Sequence, residues 1–199
     1  MAAAAGTDTA TRVLEVATRL VQVHGFNAFS YADVSAELRI TKASLHHHFP
    51  TKAALGKALI RRYTSTFLGA LGAIDRRGRD ARAKLKSYAD LYVSVLREEG
   101  MCLCGMLAAD FETLPKPMRS GVTEFFRANE EWLANVLEQG RRDGTLRFDG
   151  SAASTAQLLV SSLEGAMLVA RCYGSVSRFE SAAAKLLAGL GVSPQRGRD

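Results

Sequence analysis

Long hydrophobic runs are missing from this 199-residue sequence. The longest nearly apolar stretch, Leu158 to Ala170, carries Ser161, Ser162 and Glu164 and falls short of the ~20 apolar residues a bilayer span needs, so no membrane span is expected. Residues 1 to 8 lack both the basic start and the apolar centre of a secretory signal and read as a flexible tail, which makes a cytoplasmic protein the expectation. Cysteine is sparse: Cys102, Cys104 and Cys172 form an odd set whose first two members lie two residues apart, which argues against a disulfide framework and fits a reducing compartment. Only four prolines and 8% aromatics stand against 47% hydrophobic residues, so helix breakers are few and there is apolar surface enough to bury a core. Catalytic signatures are also absent. With no phosphate loop, nucleophile elbow or paired metal-ligand motif, neither an enzyme nor a cofactor or metal is expected. Acidic residues are in deficit, 20 against 26 lysines and arginines, and the net charge of +6 suits a polyanionic partner.

What is present is helical periodicity. Over Thr9 to His24, Val13, Val16, Ala17, Leu20 and Val21 recur at the spacing of one buried helix face, and Gly25 stops the helix. Ser30 with Asp33 reads as the cap of a short second helix ending near Arg39, in which Val34 and Leu38 share a face. Thr41 caps a third, Lys42 to Phe49, with Leu45 and Phe49 directed inward and Lys42, Ala43, His46 and His47 outward. Pro50 closes it, and Thr51 caps a long amphipathic segment from Lys52 to about Ile74. Further helices are expected at about Ala81 to Glu99, Cys102 to Glu112, Pro117 to Arg142, Ser151 to Tyr173 and Ser177 to Gly189, with no competing strand pattern; the fold class is all-α.

The second helix, its turn and the third form a helix-turn-helix, whose second member enters the DNA major groove. Thr41, Lys42, Ala43 and Ser44 open that helix, where free backbone amides favour phosphate and side chains first meet base edges. The order Gly25-Phe26-Asn27-Ala28-Phe29-Ser30, then Ile40-Thr41-Lys42-Ala43-Ser44-Leu45-His46-His47-His48-Phe49-Pro50-Thr51-Lys52-Ala53-Ala54-Leu55, resembles the N-terminal signature of the TetR family over about residues 9 to 60. The resemblance implies that Lys42, Ala43, His46 and His47 read bases and phosphates, while Ser30, Tyr31, His48 and Lys52 hold the backbone of operator DNA. Two positions depart from the pattern: Arg39 stands where the turn commonly has glycine, and His46 where an aromatic, often tyrosine, is usual.

All four histidines, at 24, 46, 47 and 48, lie in the first quarter of the chain. Consecutive helical residues point about 100° apart, so His46, His47 and His48 cannot converge on one ion and read as a groove-facing surface. Between Arg76 and Lys86, six lysines and arginines face one acid, Asp80; this run reads as a solvated face at a domain boundary.

The resemblance further implies an N-terminal three-helix DNA-binding domain at 9–55, with a linking helix to about 74. It implies a C-terminal helical effector-binding and dimerisation domain at 75–192, between flexible tails at 1–8 and 193–199. A homodimer released from its operator by an apolar or amphipathic effector is the expectation. Tyr88, Tyr92, Leu96, Cys102, Met106, Phe125, Phe126, Asn129, Trp132 and Met167 offer the apolar volume and polar handles of an effector pocket. For the dimer face the stripes offer Leu159, Ser162, Leu163, Ala166, Phe179, Ala183, Leu186, Leu187 and Leu190. Two alternatives stand beside this reading. One is a DNA-binding regulator without a small-molecule effector. The other is a thiol-based electrophile or redox sensor acting through Cys102, which resembles the sensing cysteine of some family members and has Cys104 nearby.

Overall fold

The computed structural model of the protein describes residues 8–78 and 80–191. The expected tail at 193–199, all but the last residue of the one at 1–8, and Arg79 of the basic run lie outside the described residues. Among the described residues the chain is all helix: α1 (Thr9–His24), α2 (Tyr31–Leu38), α3 (Lys42–His48), α4 (Lys52–Arg76), α5 (Ala81–Arg97), α6 (Leu103–Ala109), a 3-10 turn (Phe111–Thr113), α7 (Lys116–Arg142), α8 (Ala152–Cys172) and α9 (Val176–Ala188). An isolated antiparallel bridge joins Leu146 and Gly191.

The chain divides into two compact units, and the division differs from the expected boundary near residue 75. Of the described residues, the first unit holds those from 8 to 65 together with Cys102–Glu124; the second holds those from 66 to 101 and from 125 to 191. Sequence order concealed this, because a local pattern does not show that α6 packs on α1 rather than on its own neighbours.

In the first unit, α1 buries Val13, Ala17, Leu20 and Val21 against α2, α3 and α6. Its end is fixed by Gly25, whose φ of 88° belongs to the region where a side chain is strained. The salt bridges Arg62–Glu15 (2.9 Å) and Arg19–Glu37 tie α1 to α4 and α2 on the exposed side. Gly56 permits the closest approach in this unit: a Cβ there would lie 2.5 Å from the Met118 side chain and 2.9 Å from Phe26.

In the second unit, α5, α8 and α9 pack on one another. Asp80 caps α5 by accepting the Ala83 amide (2.8 Å), and Ser151 caps α8 by accepting the Ser154 amide (3.0 Å). Gly140 on α7 meets Leu146 and Ala81, which a Cβ would approach to 2.5 and 2.7 Å. At 21 residues α8 is long and apolar enough to cross a membrane by length and composition, which the count over Leu158 to Ala170 had not suggested. A third of its apolar window is buried: Leu159, Leu163 and Met167 belong to the packed core of this unit, and the opposite side of the helix is left exposed.

Candidate nucleic-acid interface and effector unit

The reading head is built from two helix starts and the turn between them. Ser30 opens α2 with its amide and hydroxyl both directed to the Asp33 carboxylate (2.6 and 2.8 Å), the aspartate form of the box expected there. These bonds hold Asp33 below the usual carboxylate range. The turn that follows α2 passes through Arg39 in the left-handed region (φ 54°, ψ 42°), the conformation that a glycine adopts without strain. Ile40 then returns its amide to the Ser35 carbonyl at 3.1 Å. Thr41 caps α3 by accepting the Ser44 amide at 3.1 Å, and fully buried Leu45 anchors the helix to the core. With Leu45 inward, Thr41, Lys42, Ala43, His46 and His47 are exposed, and Ser44 and His48 half-buried. This is the geometry of a recognition helix, a rigid back with short side chains and one lysine presented outward.

Two of the expected backbone holders, Tyr31 and Lys52, and the expected reader His46 are also tied to their own chain. The Tyr31 hydroxyl donates to the Phe49 carbonyl (2.7 Å) while its ring lies 4.7 Å from that of His46; burial pushes the hydroxyl up to about 12. Nδ1 of His46 lies 3.2 Å from the Pro50 carbonyl. The Lys52 ammonium donates to the Phe29 carbonyl (2.5 Å) and sits 4.8 and 4.5 Å from the Phe26 and Phe29 ring centres. Burial pushes Lys52 below the usual lysine range, against the opposing charges of Asp110 and Asp33. These residues frame an open cleft of about 550 Å³ lined by Asn27, Phe29, Ser30, Tyr31, Ala32, Lys42, His46 and Lys52. Two lysines line this cleft beside the start of α2, where the helix dipole adds to their positive charge. His47 and His48 contact each other edge to face at 5.3 Å.

The expected effector residues are distributed between the units. Cys102 and Met106 belong to the first, where the buried Cys102 sulfur caps α6 by accepting the Gly105 amide at 3.4 Å. Cys104 is buried as well, whereas Cys172 is exposed. The second unit brings together Tyr88, Tyr92, Phe125, Phe126, Asn129 and Trp132. Fully buried Asn129 donates to the Phe125 carbonyl (2.8 Å) and accepts from the Tyr88 hydroxyl (3.1 Å), which lies 3.2 Å from that of Tyr92. Trp132 stacks on Tyr88 at 5.7 Å, and Phe126 meets Phe125 edge to face at 5.3 Å. Leu96 and Met167 are buried in the same unit.

Sequence reasoning missed several members of this cluster. Phe67 contacts Tyr88, Tyr92 and Phe125 edge to face, and Phe179, assigned beforehand to a dimer face, stacks on Tyr92 at 6.0 Å. Asp75 accepts from the Trp132 indole (2.8 Å) and from Lys84 (2.9 Å), and Lys84 also donates to Gln139 (3.3 Å). Burial pushes Asp75 up, but the hydrogen bonds from Lys84 and Trp132 and the charge of Lys84 outweigh it and hold the carboxyl below its usual range. The basic run is thus not wholly a solvated face: Arg76, Arg77, Arg82 and Lys86 are exposed, while Lys84 is buried and paired to the exposed Asp75.

The expected dimer stripe also needs correction. Leu159, Leu163, Phe179, Ala183 and Leu190 are buried within this chain and unavailable to a partner; Ser162, Ala166, Leu186 and Leu187 are half-buried. The large apolar side chains that α8 leaves exposed are Leu158, Leu168 and Val169, with Tyr173 just beyond it, each more than half exposed. Periodicity identified an apolar stripe on this helix but not that its own neighbours cover it.

A capped recognition helix, held on a buried residue and flanked by a cationic cleft, defines a helix-turn-helix DNA-binding protein. Residues 13–59 match the family described as bacterial regulatory proteins, tetR family, and residues 81–186 match the tetracyclin repressor-like C-terminal domain. The chain belongs to the TetR family of transcriptional regulators. Its backbone is similar to a TetR-family regulator from Agrobacterium tumefaciens (30% identity, TM-score 0.89, covering 92% of this chain and 97% of that one). It is similar also to a TetR regulator from Legionella pneumophila (33% identity, TM-score 0.86, covering 94% and 100%). Among named relatives, the HTH-type transcriptional repressor NemR of Escherichia coli K12 is 26% identical over 181 residues, 89% of this chain and 91% of that protein.

Proposed function

We propose that the protein is a homodimeric repressor that presents Lys42 to His48 of each subunit to successive major grooves and leaves its operator when a small molecule binds the second unit. The observation that carries this reading is the exposed face of α3 fixed on buried Leu45 beside the cationic cleft. Repressor names among the relatives, NemR and DhaR of Mycobacterium sp., support the sign of the response. The cluster of Tyr88, Tyr92, Asn129 and Trp132 favours an amphipathic effector, one with a flat apolar body and a hydrogen-bonding group. Exposed Leu158, Leu168, Val169 and Tyr173 favour a second copy of the chain as the cover of α8. On this reading the protein is a cytoplasmic regulator with no catalytic activity.

The test is selection of bound fragments from genomic DNA, repeated with Lys42→Ala. The expected outcome is recovery of a near-palindromic sequence by the wild type and its weakening in the variant; equal sequence-specific binding by both removes Lys42 from the reading set. Leu168→Glu is expected to shift the sedimentation of the protein from dimer to monomer.

A second reading rests on Cys102. Its sulfur closes the first turn of α6, so a covalent adduct there removes the cap and loosens the helix. Release of the selected fragment by a mild electrophile in wild type and in Cys102→Ser alike eliminates that reading.

A further inference from the structure

The turn joining α1 to α2 leads into Ser30 and the cleft, and the first unit clamps it from one side. Asn27, exposed in that turn, donates from its side-chain amide to the Thr113 hydroxyl at 2.9 Å. Thr113 in turn donates to the Asp110 carbonyl at 2.7 Å, which closes the 3-10 turn on itself. Two residues before Asn27, the α carbon of Gly25 faces Met106 and Asp110: a Cβ there would lie 3.6 and 3.7 Å from their side-chain ends. Behind the 3-10 turn, Arg119 donates to the carbonyls of Leu114 (2.8 Å) and Glu112 and lies over the Phe111 ring. The segment from Met106 to Arg119 is therefore a braced strut ending on the Gly25–Phe29 turn.

What that turn holds in place is the phosphate cleft. Phe29 offers its carbonyl to Lys52, Ser30 begins α2, and Asn27, Phe29, Ser30 and Lys52 all line the cleft. The Asp110 charge acts on Lys52 as well, so the strut reaches the same lysine by a second route. A helix-turn-helix must present its two helices at fixed angles for phosphates and bases to register together, and a lone hydrogen bond across a turn can set such an angle when both its ends are braced.

We infer that Asn27 and Thr113 are positioning residues for operator recognition, through which the 106–119 strut sets the α1–α2 turn and the phosphate cleft beyond it. This rests on the helix-turn-helix reading above and extends the recognition apparatus to residues far along the chain from it.

The experiment compares wild type, Asn27→Ala, Thr113→Val, Thr113→Ser and the double variant Asn27→Ala/Thr113→Val. Each is titrated against the duplex that the wild type selects from genomic DNA and against a scrambled duplex of the same length, with thermal unfolding as a folding control. Loss of one braced hydrogen bond is expected to weaken selected-duplex binding about five- to tenfold. For the Thr113 variants, whose altered side chain lies outside the cleft, scrambled-duplex binding, which depends on charge, stays within about twofold. Thr113→Ser keeps the hydroxyl and restores binding, and the double variant is no weaker than either single one, because both remove the same bond. The inference is overturned if the single variants bind the selected duplex like wild type, if their effects add, or if Thr113→Ser behaves as Thr113→Val does. A wild-type protein that selects no sequence at all overturns the helix-turn-helix reading itself, a separately readable failure.

Discussion

In the first unit the polar side chains that matter lie at the surface or close a turn: Thr41 caps, Ser30 pairs with Asp33, and Lys42 and His47 face outward. The second unit does the reverse, enclosing Asn129, Tyr88 and Tyr92 among aromatic rings and burying Lys84 beside Asp75 and Gln139. A polar group at a surface is satisfied by water until DNA arrives, so the head needs only a firm backing to be ready. A polar group in an apolar interior is costly unless every bond is made, so the second unit is sensitive to whatever offers or withdraws a partner. One unit is suited to reading a fixed surface, the other to registering a small change inside itself.

The sharpest way to break this comparison is at the backing of the head. Leu45→Ala is expected to lower stability by about 2–5 kcal/mol, because it leaves a cavity at a fully buried site, and to remove operator binding; denaturant unfolding and DNA titration check it. A change near zero would mean that α3 does not depend on its anchor.

Next in size is Asn129→Ala. It strips partners from the Tyr88 hydroxyl and the Phe125 carbonyl, and about 1–3 kcal/mol is expected in unfolding while operator affinity holds. An equal loss of operator affinity would erase the distinction between the units.

Thr41→Ala follows, at about 1 kcal/mol for a lost helix cap, with weaker operator binding as its second readout.

The smallest effect concerns Asp33, held below the usual carboxylate range by Ser30. A carboxyl depressed in the folded state adds stability that is complete above its unfolded value and disappears as pH falls through the folded one. Wild type is therefore expected to lose stability below pH about 4 more steeply than Asp33→Asn, which has no charge to lose. Superimposable acid-unfolding curves would show that the Ser30–Asp33 pair contributes nothing.

The same contrast explains what could be read from sequence. The helices of the head were legible because their signals are local: Gly25 after an apolar stripe, Ser30 three residues before Asp33, and Thr41 three before Ser44. The long helices were legible to within a few residues, since Asp80 and Ser151 mark their starts and Gly174 and Gly189 their ends. What stayed hidden depends on partners far along the chain. Nothing near Lys84 announces that Asp75 and Gln139 will enclose it, and nothing near Asn27 announces Thr113. The apolar stripes of α8 and α9 gave the residues for two faces, but the structure shows that Leu159, Leu163 and Phe179 serve this chain while Leu158 and Leu168 remain uncovered.

Arg39 carries a consequence for how such a head tolerates sequence drift. It and Glu99 are the described non-glycine residues with positive φ, and each ends a helix, α2 and α5 respectively. Holding a side chain in that conformation costs on the order of 1–2 kcal/mol. Glycine, asparagine or aspartate can therefore replace Arg39 and relieve the backbone, whereas valine or isoleucine would tighten it further. The most important turn in the molecule is thus one where neutral or stabilising replacements are plentiful, and its present occupant is among the less comfortable choices.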